Sequence, residues 1–261
     1  MELIVEGVSH RYGDVTALDG IDIAARAGEI LALIGPSGCG KSTLLGIMGG
    51  ILAPSAGRVM LAGEARAGTL NPLTYVFQDF ALLPWRTVEG NVALALEHHR
   101  LDPGERAARI DDVLARTGLG DFRAAFPKQL SGGMRQRVGI ARALAVKPSI
   151  LLMDEPLSAL DAQTRELLME DFLALWLRER ITAVWVTHNL AEALRVADRV
   201  AVLSRRPGRL RDVVAIGVPQ SERGHDAAQR DLAALHDRLW ALIKAEAQVA
   251  EREVADHGAA G

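Results

Sequence analysis

The sequence contains very little cysteine and lacks any long hydrophobic run. Cys39 is the single cysteine among 261 residues, so an intramolecular disulfide is excluded and a reducing compartment fits best. Apolar stretches such as residues 29–35 and 150–153 are far shorter than the roughly 20 residues that a membrane-spanning helix needs. Residues 1–6 contain no basic region leading into an apolar one, so no secretory signal is predicted. We therefore expect a cytosolic chain that reaches a membrane only through partners.

The chain also lacks a basic excess. Its 30 lysines and arginines are outnumbered by 33 acidic residues, which gives a net charge of −3. Proteins that bind nucleic acid usually carry a basic patch and a high isoelectric point, so no nucleic-acid partner is expected. Hydrophobic residues make up 49% and charged residues 24%, the ordinary balance of a globular protein with a buried core.

Short apolar runs alternate with stretches of helical periodicity along the chain. Apolar strands separated by helices favour an α/β fold with a parallel sheet covered on both faces. Between residues 87 and 145 apolar residues recur only at helical spacing, which predicts a helical insertion, and residues 226–254 form a charged helical tail. The predicted strands are residues 3–8, 29–34, 150–154, 183–187 and 199–203, and the predicted core helices are residues 41–51, 162–180 and 190–197.

A glycine-rich loop follows the apolar run at 29–34 and precedes a predicted helix. It matches G-x-x-x-x-G-K-[ST], a pattern whose backbone N–H groups converge on phosphate oxygens. Lys41 places its charge on the β- and γ-phosphates, and the Ser42 hydroxyl can ligate Mg²⁺. Cys39 has no general base nearby in sequence, so we interpret it as a small loop residue. The predicted nucleotide-binding residues of this segment are Gly35, Pro36, Ser37, Gly38, Cys39, Gly40, Lys41, Ser42 and Thr43.

Two adjacent carboxylates end a second apolar run. Ligands of open α/β sheets bind at the carboxyl ends of the strands, where Asp154 can hold Mg²⁺. Glu155 points the other way and can orient or deprotonate the attacking water. A lone Asp-Glu pair is usually a solvated strand end, but the phosphate loop makes that interpretation the weaker one.

A Leu-Ser-Gly-Gly sequence at residues 130–133 lies about twenty residues before Asp154. Ser131, Gly132 and Gly133 open a predicted helix, an arrangement that binds anions. Because one phosphate loop already holds the triphosphate, we expect this second anion site to serve the ATP of another subunit in a two-fold dimer.

In this respect the sequence resembles the ATP-binding cassette (ABC) ATPase family, whose signature is LSGGQ, over residues 3–210. The resemblance implies a P-loop NTPase (RecA-like) core with an antiparallel N-terminal β part, and binding of ATP and Mg²⁺. It implies that Tyr12 stacks on adenine, that Gln78 senses Mg²⁺ and the lytic water, and that His188 contacts the γ-phosphate. Asp161, in the D-loop at 158–161, shapes the dimer contact.

Two positions depart from the family pattern. Met134 replaces the glutamine that closes the usual signature, and because it lies past the Ser-Gly-Gly turn we expect activity to survive. Asn189 follows His188 where the family often has aspartate, and we expect this difference to have only a secondary effect on the role of His188. Since Lys41 and Glu155 are both present, the sequence predicts a competent ATPase.

Residues 77–92 and 203–209 look like those of the nitrate/sulfonate/taurine importer subfamily. Leu82, Leu83 and Trp85 could form an apolar surface against a permease or pack inside the helical insertion, and both interpretations stay open at this point. This resemblance implies an importer of an anion such as nitrate, a sulfonate, taurine or a related organic acid, and the alternatives are an importer subunit for another small solute and a non-transport cassette ATPase. The non-transport ATPase is disfavoured because only a short segment separates the phosphate loop from the signature and because the chain has one cassette. The signature argues against a GTPase or kinase.

The resemblance also implies a division of the chain and a set of partners. We expect a nucleotide-binding core at 1–86 and 146–216, a helical subdomain at 87–145 and a C-terminal helical tail at 217–261. The expected partners are a second copy in a head-to-tail dimer, transmembrane permease subunits and a separate substrate-binding protein. The chain would then lie at the cytoplasmic face of the plasma membrane, held there by the permease.

Overall fold

The computed structural model describes residues 1–158 and 160–258. Within these ranges the chain forms nine strands and seven α-helices. The strands are β1 (Glu2–Tyr12), β2 (Val15–Ala25), β3 (Ile30–Ile34), β4 (Ala56–Ala62), β5 (Leu73–Val76), β6 (Ile150–Asp154), β7 (Thr182–Val186), β8 (Arg199–Leu203) and β9 (Leu210–Ala215). The helices are α1 (Lys41–Met48), α2 (Val88–Leu94), α3 (Pro103–Arg116), α4 (Gly132–Ala145), α5 (Ala162–Glu179), α6 (Leu190–Val196) and α7 (Asp226–Gly258).

The chain forms two compact units. One comprises Met1 and Gly63–Ala183, and the other comprises Glu2–Ala62 together with the residues from Val184 onwards. The predicted helical stretch at 87–145 contains α2, α3, α4 and two short 3-10 turns, and the described residues there include no strand. The division into a core, a helical subdomain and a tail stays a prediction.

The unit that begins at Glu2 contains the antiparallel sheet expected near the N-terminus. β1 pairs antiparallel with β2 on one side and with β4 on the other. In the same unit β8 pairs parallel with β3 and antiparallel with β9. Every residue of β3 is buried. The strand is therefore covered on both faces, which requires apolar side chains on both of them.

The unit that contains Gly63–Ala183 combines a parallel strand pair with most of the helices. β5 pairs parallel with β6, with Val76 opposite Met153, so both strands end at the same edge. Asp102 caps α3 by accepting a hydrogen bond from the Glu105 N–H, which satisfies one of the free donors of the first turn. α4 packs against both α2 and α3.

The α/β prediction is confirmed, and the strands at 3–8, 150–154 and 199–203 correspond to β1, β6 and β8. The tail prediction corresponds to α7, and residues 259–261 lie outside the described residues. Sequence periodicity did not single out β2, β4, β5 and β9. No helix in the described part of the chain combines the length and the hydropathy that crossing a bilayer requires.

Candidate nucleotide site

The glycine-rich loop joins β3 to α1, as the sequence predicts. Gly40 caps α1 with a φ of 101°, a left-handed conformation that costs glycine little and other residues much more. A Cβ atom at this position would lie 2.7 Å from Leu18 Cδ2, so glycine is also required by space. The loop therefore delivers its backbone N–H groups to the N-terminus of α1, where the helix dipole favours an anion.

The Lys41 ammonium lies inside this loop. Its Nζ donates hydrogen bonds to the Gly35 carbonyl at 2.9 Å and to the Pro36 carbonyl at 3.0 Å, and the side chain is only 8% exposed. Among the described residues no carboxylate forms an ion pair with it. Two carbonyl oxygens and, at 3.9 Å, the Cys39 sulfur surround the positive charge, so a phosphate group would supply the anion that it lacks among the described residues.

Cys39 is buried in the same loop, 1% exposed. Burial raises the pKa of its thiol, and the nearby Lys41 ammonium offsets only part of that rise. The protonated thiol is a poor nucleophile. This agrees with the interpretation of Cys39 as a loop residue without a role in catalysis.

Tyr12 lies at the end of β1 with half of its ring exposed. Its hydroxyl is 3.4 Å from Thr43 Oγ1, on the helix that follows the phosphate loop, and the His10 ring contacts it edge-on at 4.6 Å between centroids. Tyr12 is 51% exposed beside α1, and an exposed aromatic residue there is suited to stacking on a planar base.

His188 is exposed just after β7, and the neighbouring Asn189 begins α6. The Asn189 side chain accepts hydrogen bonds from the backbone N–H groups of Ala191 and Glu192, at 2.9 Å and 3.3 Å. Asparagine and aspartate cap helices about equally well. This accounts for the departure from the family pattern at this position, because the cap that follows His188 is preserved.

The paired carboxylates lie at the end of β6, in the other unit. Tyr75 on the adjacent strand β5 donates a hydrogen bond from its hydroxyl to Asp154 Oδ2 at 3.3 Å. Burial, and then the Asp154 charge, hold the pKa of Tyr75 above its ordinary value, so the hydroxyl stays a donor. Glu155 has a φ of 44°, a strained conformation that is often found at functional positions.

Gln78 is exposed beyond the end of β5 and is linked to the acidic segment. Its side-chain amide lies 3.3 Å from Ser158 Oγ, which in turn donates to the Glu155 carbonyl at 3.0 Å. Three predicted features, the Q-loop glutamine, the D-loop and the catalytic glutamate, are thus brought together within this unit.

The backbone after Gln78 is held by the signature helix α4. Phe80 and Ala81 both have positive φ values, and their carbonyls accept hydrogen bonds from the Arg142 guanidinium at 2.7 Å and 2.6 Å. A second contact comes from Gln136, buried in α4, whose amide donates to the Pro156 carbonyl. α4 is therefore tied to both the Q-loop and the segment that follows Glu155.

The Ser-Gly-Gly turn begins α4. Ser131 is the N-cap, exposed, with its hydroxyl accepting from the Met134 N–H at 3.2 Å. Gly133 is buried against α5, where an added Cβ would lie 2.8 Å from Thr164 Cγ2. The sequence predicts that Gly132 and Gly133 both lie at a phosphate, and the structure shows that Gly133 is also required for helix packing.

Asp161 caps α5 and is exposed. It accepts hydrogen bonds from the Thr164 N–H at 3.0 Å and from the Thr164 hydroxyl at 2.8 Å, and these bonds lower its pKa. Its D-loop neighbour Ala159 lies outside the described residues. The sequence did not indicate Tyr75, because its contact with Asp154 joins two strands that are far apart along the chain.

Comparison with known proteins identifies the family. A family model described as ABC transporter matches residues 18–158. The chain belongs to the ABC transporter family. It is an ABC-type ATPase, and its α/β fold with an antiparallel N-terminal sheet and helical segments is the fold of that family.

Several ABC proteins resemble the chain over most of its length. An uncharacterized ABC transporter ATP-binding protein of Methanocaldococcus jannaschii is 43% identical over 232 residues, 89% of this chain and 86% of that protein. A spermidine/putrescine import ATP-binding protein of Nitrosomonas eutropha is 40% identical over 228 residues, 86% of this chain but only 61% of that protein. A dimeric structure of the ATP-binding cassette MJ0796 in a post-hydrolysis state with ADP and Pi has a TM-score of 0.70 and 32% identity, covering 83% of this chain and all of that one.

Proposed function

We propose that this ABC ATPase binds and hydrolyses ATP to power an importer, as a pair of identical subunits attached to permease subunits at the cytoplasmic face of the plasma membrane. The observation that supports ATP binding most strongly is Lys41. Its ammonium is buried on the Gly35 and Pro36 carbonyls at the start of α1 and lacks an ion-pair partner among the described residues. Such a charge at a helix N-terminus favours a phosphate.

In this proposal the hydrolytic roles follow the family pattern. Glu155 orients or deprotonates water, His188 contacts the γ-phosphate, and Gln78 senses both water and metal. Ser42, Gln78 and Asp154 supply a hydroxyl, an amide oxygen and a carboxylate, which are the hard oxygen donors that Mg²⁺ prefers. When bound, Mg²⁺ neutralises charge on the β- and γ-phosphates.

A dimer is part of the proposal because Ser131 is exposed where α4 begins. The N-terminus of a helix attracts an anion, and the chain's own triphosphate already has the loop at Lys41. The ATP-binding cassette MJ0796, to which this chain is similar, was solved as a dimer. We infer that Ser131 and Gly132 face the nucleotide of a second copy, and that Asp161 lies near the same contact.

The permease would dock on the apolar segment between the Q-loop and α2. Trp85 is 71% exposed, whereas Leu82 and Leu83 are half-buried. The structure therefore favours a docking role for Trp85 over packing within the helical insertion, since a large exposed aromatic is a common anchor of protein interfaces. We propose that Trp85 inserts into a groove of the permease.

The identity of the transported solute is the most specific part of the proposal. The segments at 77–92 and 203–209 resemble the nitrate/sulfonate/taurine importers, so we propose an anion of that group as the solute. A polyamine is the second candidate, because a relative named for spermidine/putrescine import is 40% identical to the chain. Specificity would lie in the permease and the substrate-binding protein.

A single substitution tests hydrolysis. We expect Glu155→Gln to retain ATP binding and to lower phosphate release by at least about a hundredfold, because the general base is lost. Glu170→Gln, on the exposed face of α5, is the matched control and should keep wild-type turnover. Undiminished turnover in Glu155→Gln would remove this residue from the mechanism.

A second experiment tests docking and solute. The complex is isolated from membranes with wild-type, Trp85→Ala and Trp240→Ala chains, the last carrying a similarly exposed tryptophan on α7. We expect only Trp85→Ala to lose a polytopic membrane protein.

Thermal shifts of the accompanying binding protein with taurine, nitrate and spermidine then decide between the two solute classes.

A further inference from the structure

A loop at residues 204–209, between β8 and β9, packs directly on the phosphate loop. Gly208 lies so close to it that an added Cβ would be 2.2 Å from the Cys39 carbonyl oxygen. The Gly208 N–H donates to the Ala17 carbonyl at 2.8 Å, and its own carbonyl accepts from the Asp19 N–H at 3.0 Å. Two backbone hydrogen bonds therefore fix this loop on β2, and Gly208 packs against the phosphate loop at Cys39.

The shape of the loop is also fixed from within. Ser204 is buried, its hydroxyl accepts from the Arg209 N–H at 2.9 Å, and it lies 2.9 Å from the Pro207 carbonyl. From outside, Glu246 of α7 accepts a hydrogen bond from the Arg205 N–H at 3.1 Å. None of these contacts uses the side chain of Arg206.

Arg206 and Arg209 of the loop differ in their surroundings. Arg209 is paired with Asp19 at 2.6 Å. Arg206 is exposed, and its guanidinium lies at Gly38, 3.3 Å from where a Cβ on that glycine would be. Within the described residues Arg206 forms no ion pair. The fixed backbone thus places an uncompensated cation on the phosphate loop.

We propose that Arg206 is a further nucleotide-binding residue, whose charge draws the phosphates of the nucleotide to the loop at Gly38. This inference rests on the proposed function of residues 35–42 as the nucleotide site. Because Arg206 is exposed and its position is described only relative to Gly38, we expect its effect to come from its charge, which attracts ATP more than ADP since ATP carries the additional phosphate. Arg206 therefore favours the triphosphate over the product of hydrolysis.

The test compares Arg206→Gln, Arg206→Lys and Arg209→Gln, with ATP and ADP affinities measured by calorimetry at low and high salt. We expect Arg206→Gln to weaken ATP binding about three- to fivefold and ADP binding less. Lysine at 206 should restore most of the loss, and salt should reduce the difference from wild type, because exposed charges are screened. Arg209→Gln removes one charge from the same loop and should change ATP affinity by less than about twofold.

Other results would overturn the proposal. Unchanged ATP affinity in Arg206→Gln, or an equal loss in Arg209→Gln, would show that the position of Arg206 does not matter. Unfolding midpoints measured alongside should stay at the wild-type value, since the loop is held by Ser204, Gly208 and Glu246. Lys41→Ala separates the two hypotheses: if it binds ATP as wild type does, the proposed nucleotide site itself is wrong.

Discussion

The side-chain amide of Gln78 lies 3.3 Å from the Ser158 hydroxyl oxygen, and that hydroxyl donates to the Glu155 carbonyl. A residue expected to sense the nucleotide is thus two hydrogen bonds away from the backbone of the proposed general base. This arrangement gives a physical path by which the Q-loop could control the orientation of Glu155.

The first prediction follows from that path. We expect Gln78→Ala to lower kcat for ATP hydrolysis about tenfold or more and to change ATP affinity much less, because water positioning and one proposed Mg²⁺ contact are lost while the phosphate loop is intact. Steady-state phosphate release and a binding titration measure the two quantities. Gln163→Ala, on the exposed side of α5, is the control. A kcat equal to wild type in Gln78→Ala would contradict the prediction.

The second prediction concerns Cys39. Because burial raises the pKa of the thiol above the ordinary value of 9.0, the folded protein should resist iodoacetamide at pH 7.5 and react rapidly once unfolded in urea. Because the pKa of the Cys39 thiol is raised in the folded state, the contribution of the neutral thiol to the free energy of unfolding is complete below pH 9.0. This contribution decreases as pH rises through the folded-state pKa. Mass spectrometry of alkylated protein checks the first part, and fast labelling of the folded chain would contradict it.

The third prediction concerns the buried side chain of Asn91. It accepts from the Leu83 N–H at 2.8 Å and donates to the carbonyls of Leu83, Arg86 and Thr87. Asn91→Leu removes these four hydrogen bonds, although the Leu83 and Thr87 carbonyls keep the backbone N–H groups of Arg86 and Asn91 as donors, so we expect it to lower the free energy of unfolding by about 2–4 kcal/mol. Urea denaturation measures the loss.

The exposed Asn71 provides a control, since Asn71→Ala should change the free energy of unfolding by less than about 0.5 kcal/mol. The segment that Asn91 holds also carries Trp85. If Asn91→Leu proved as stable as wild type, the hydrogen bonds would not be what fixes that segment.

The fourth prediction concerns Gly208. A methyl group there would meet the Cys39 carbonyl oxygen, so Gly208→Ala should destabilise the protein by about 1–3 kcal/mol and weaken ATP binding by displacing the phosphate loop. Gly217→Ala is the matched control, because a Cβ at Gly217 would have no neighbour within 4 Å. Thermal unfolding and nucleotide titration of both variants check the prediction, which fails if they behave alike.

Much of the fold could be predicted from the sequence because its central strands are continuous apolar runs. β3, β6 and β8 are almost wholly buried, and each stands out as a short hydrophobic segment. β4 and β9 are largely exposed or half-buried, so their sequences lack a clear period. Hydrophobic periodicity reflects the burial of side chains, so it does not reveal strands whose side chains are mostly exposed.

The nucleotide site, like the fold, could be predicted from the sequence only in part. The phosphate loop could be predicted because all of its proposed binding residues, Gly35 to Thr43, are consecutive in the sequence. The contacts Tyr75–Asp154 and Arg206–Gly38 join residues that are far apart along the chain, and no local pattern indicates them. The catalytic and binding assignments of Glu155, His188 and Gln78 stay predictions until their variants are measured.

The hydrogen bond from Gln136 to the Pro156 carbonyl has a mechanical consequence. α4 carries the Ser-Gly-Gly turn at its first residues, and Pro156 directly follows Glu155. A rigid helix bonded to that segment cannot shift along its axis without pulling on the backbone beside the carboxylate. Force applied to α4 from outside would therefore change the hydrolytic geometry of its own subunit, and turnover could respond to load.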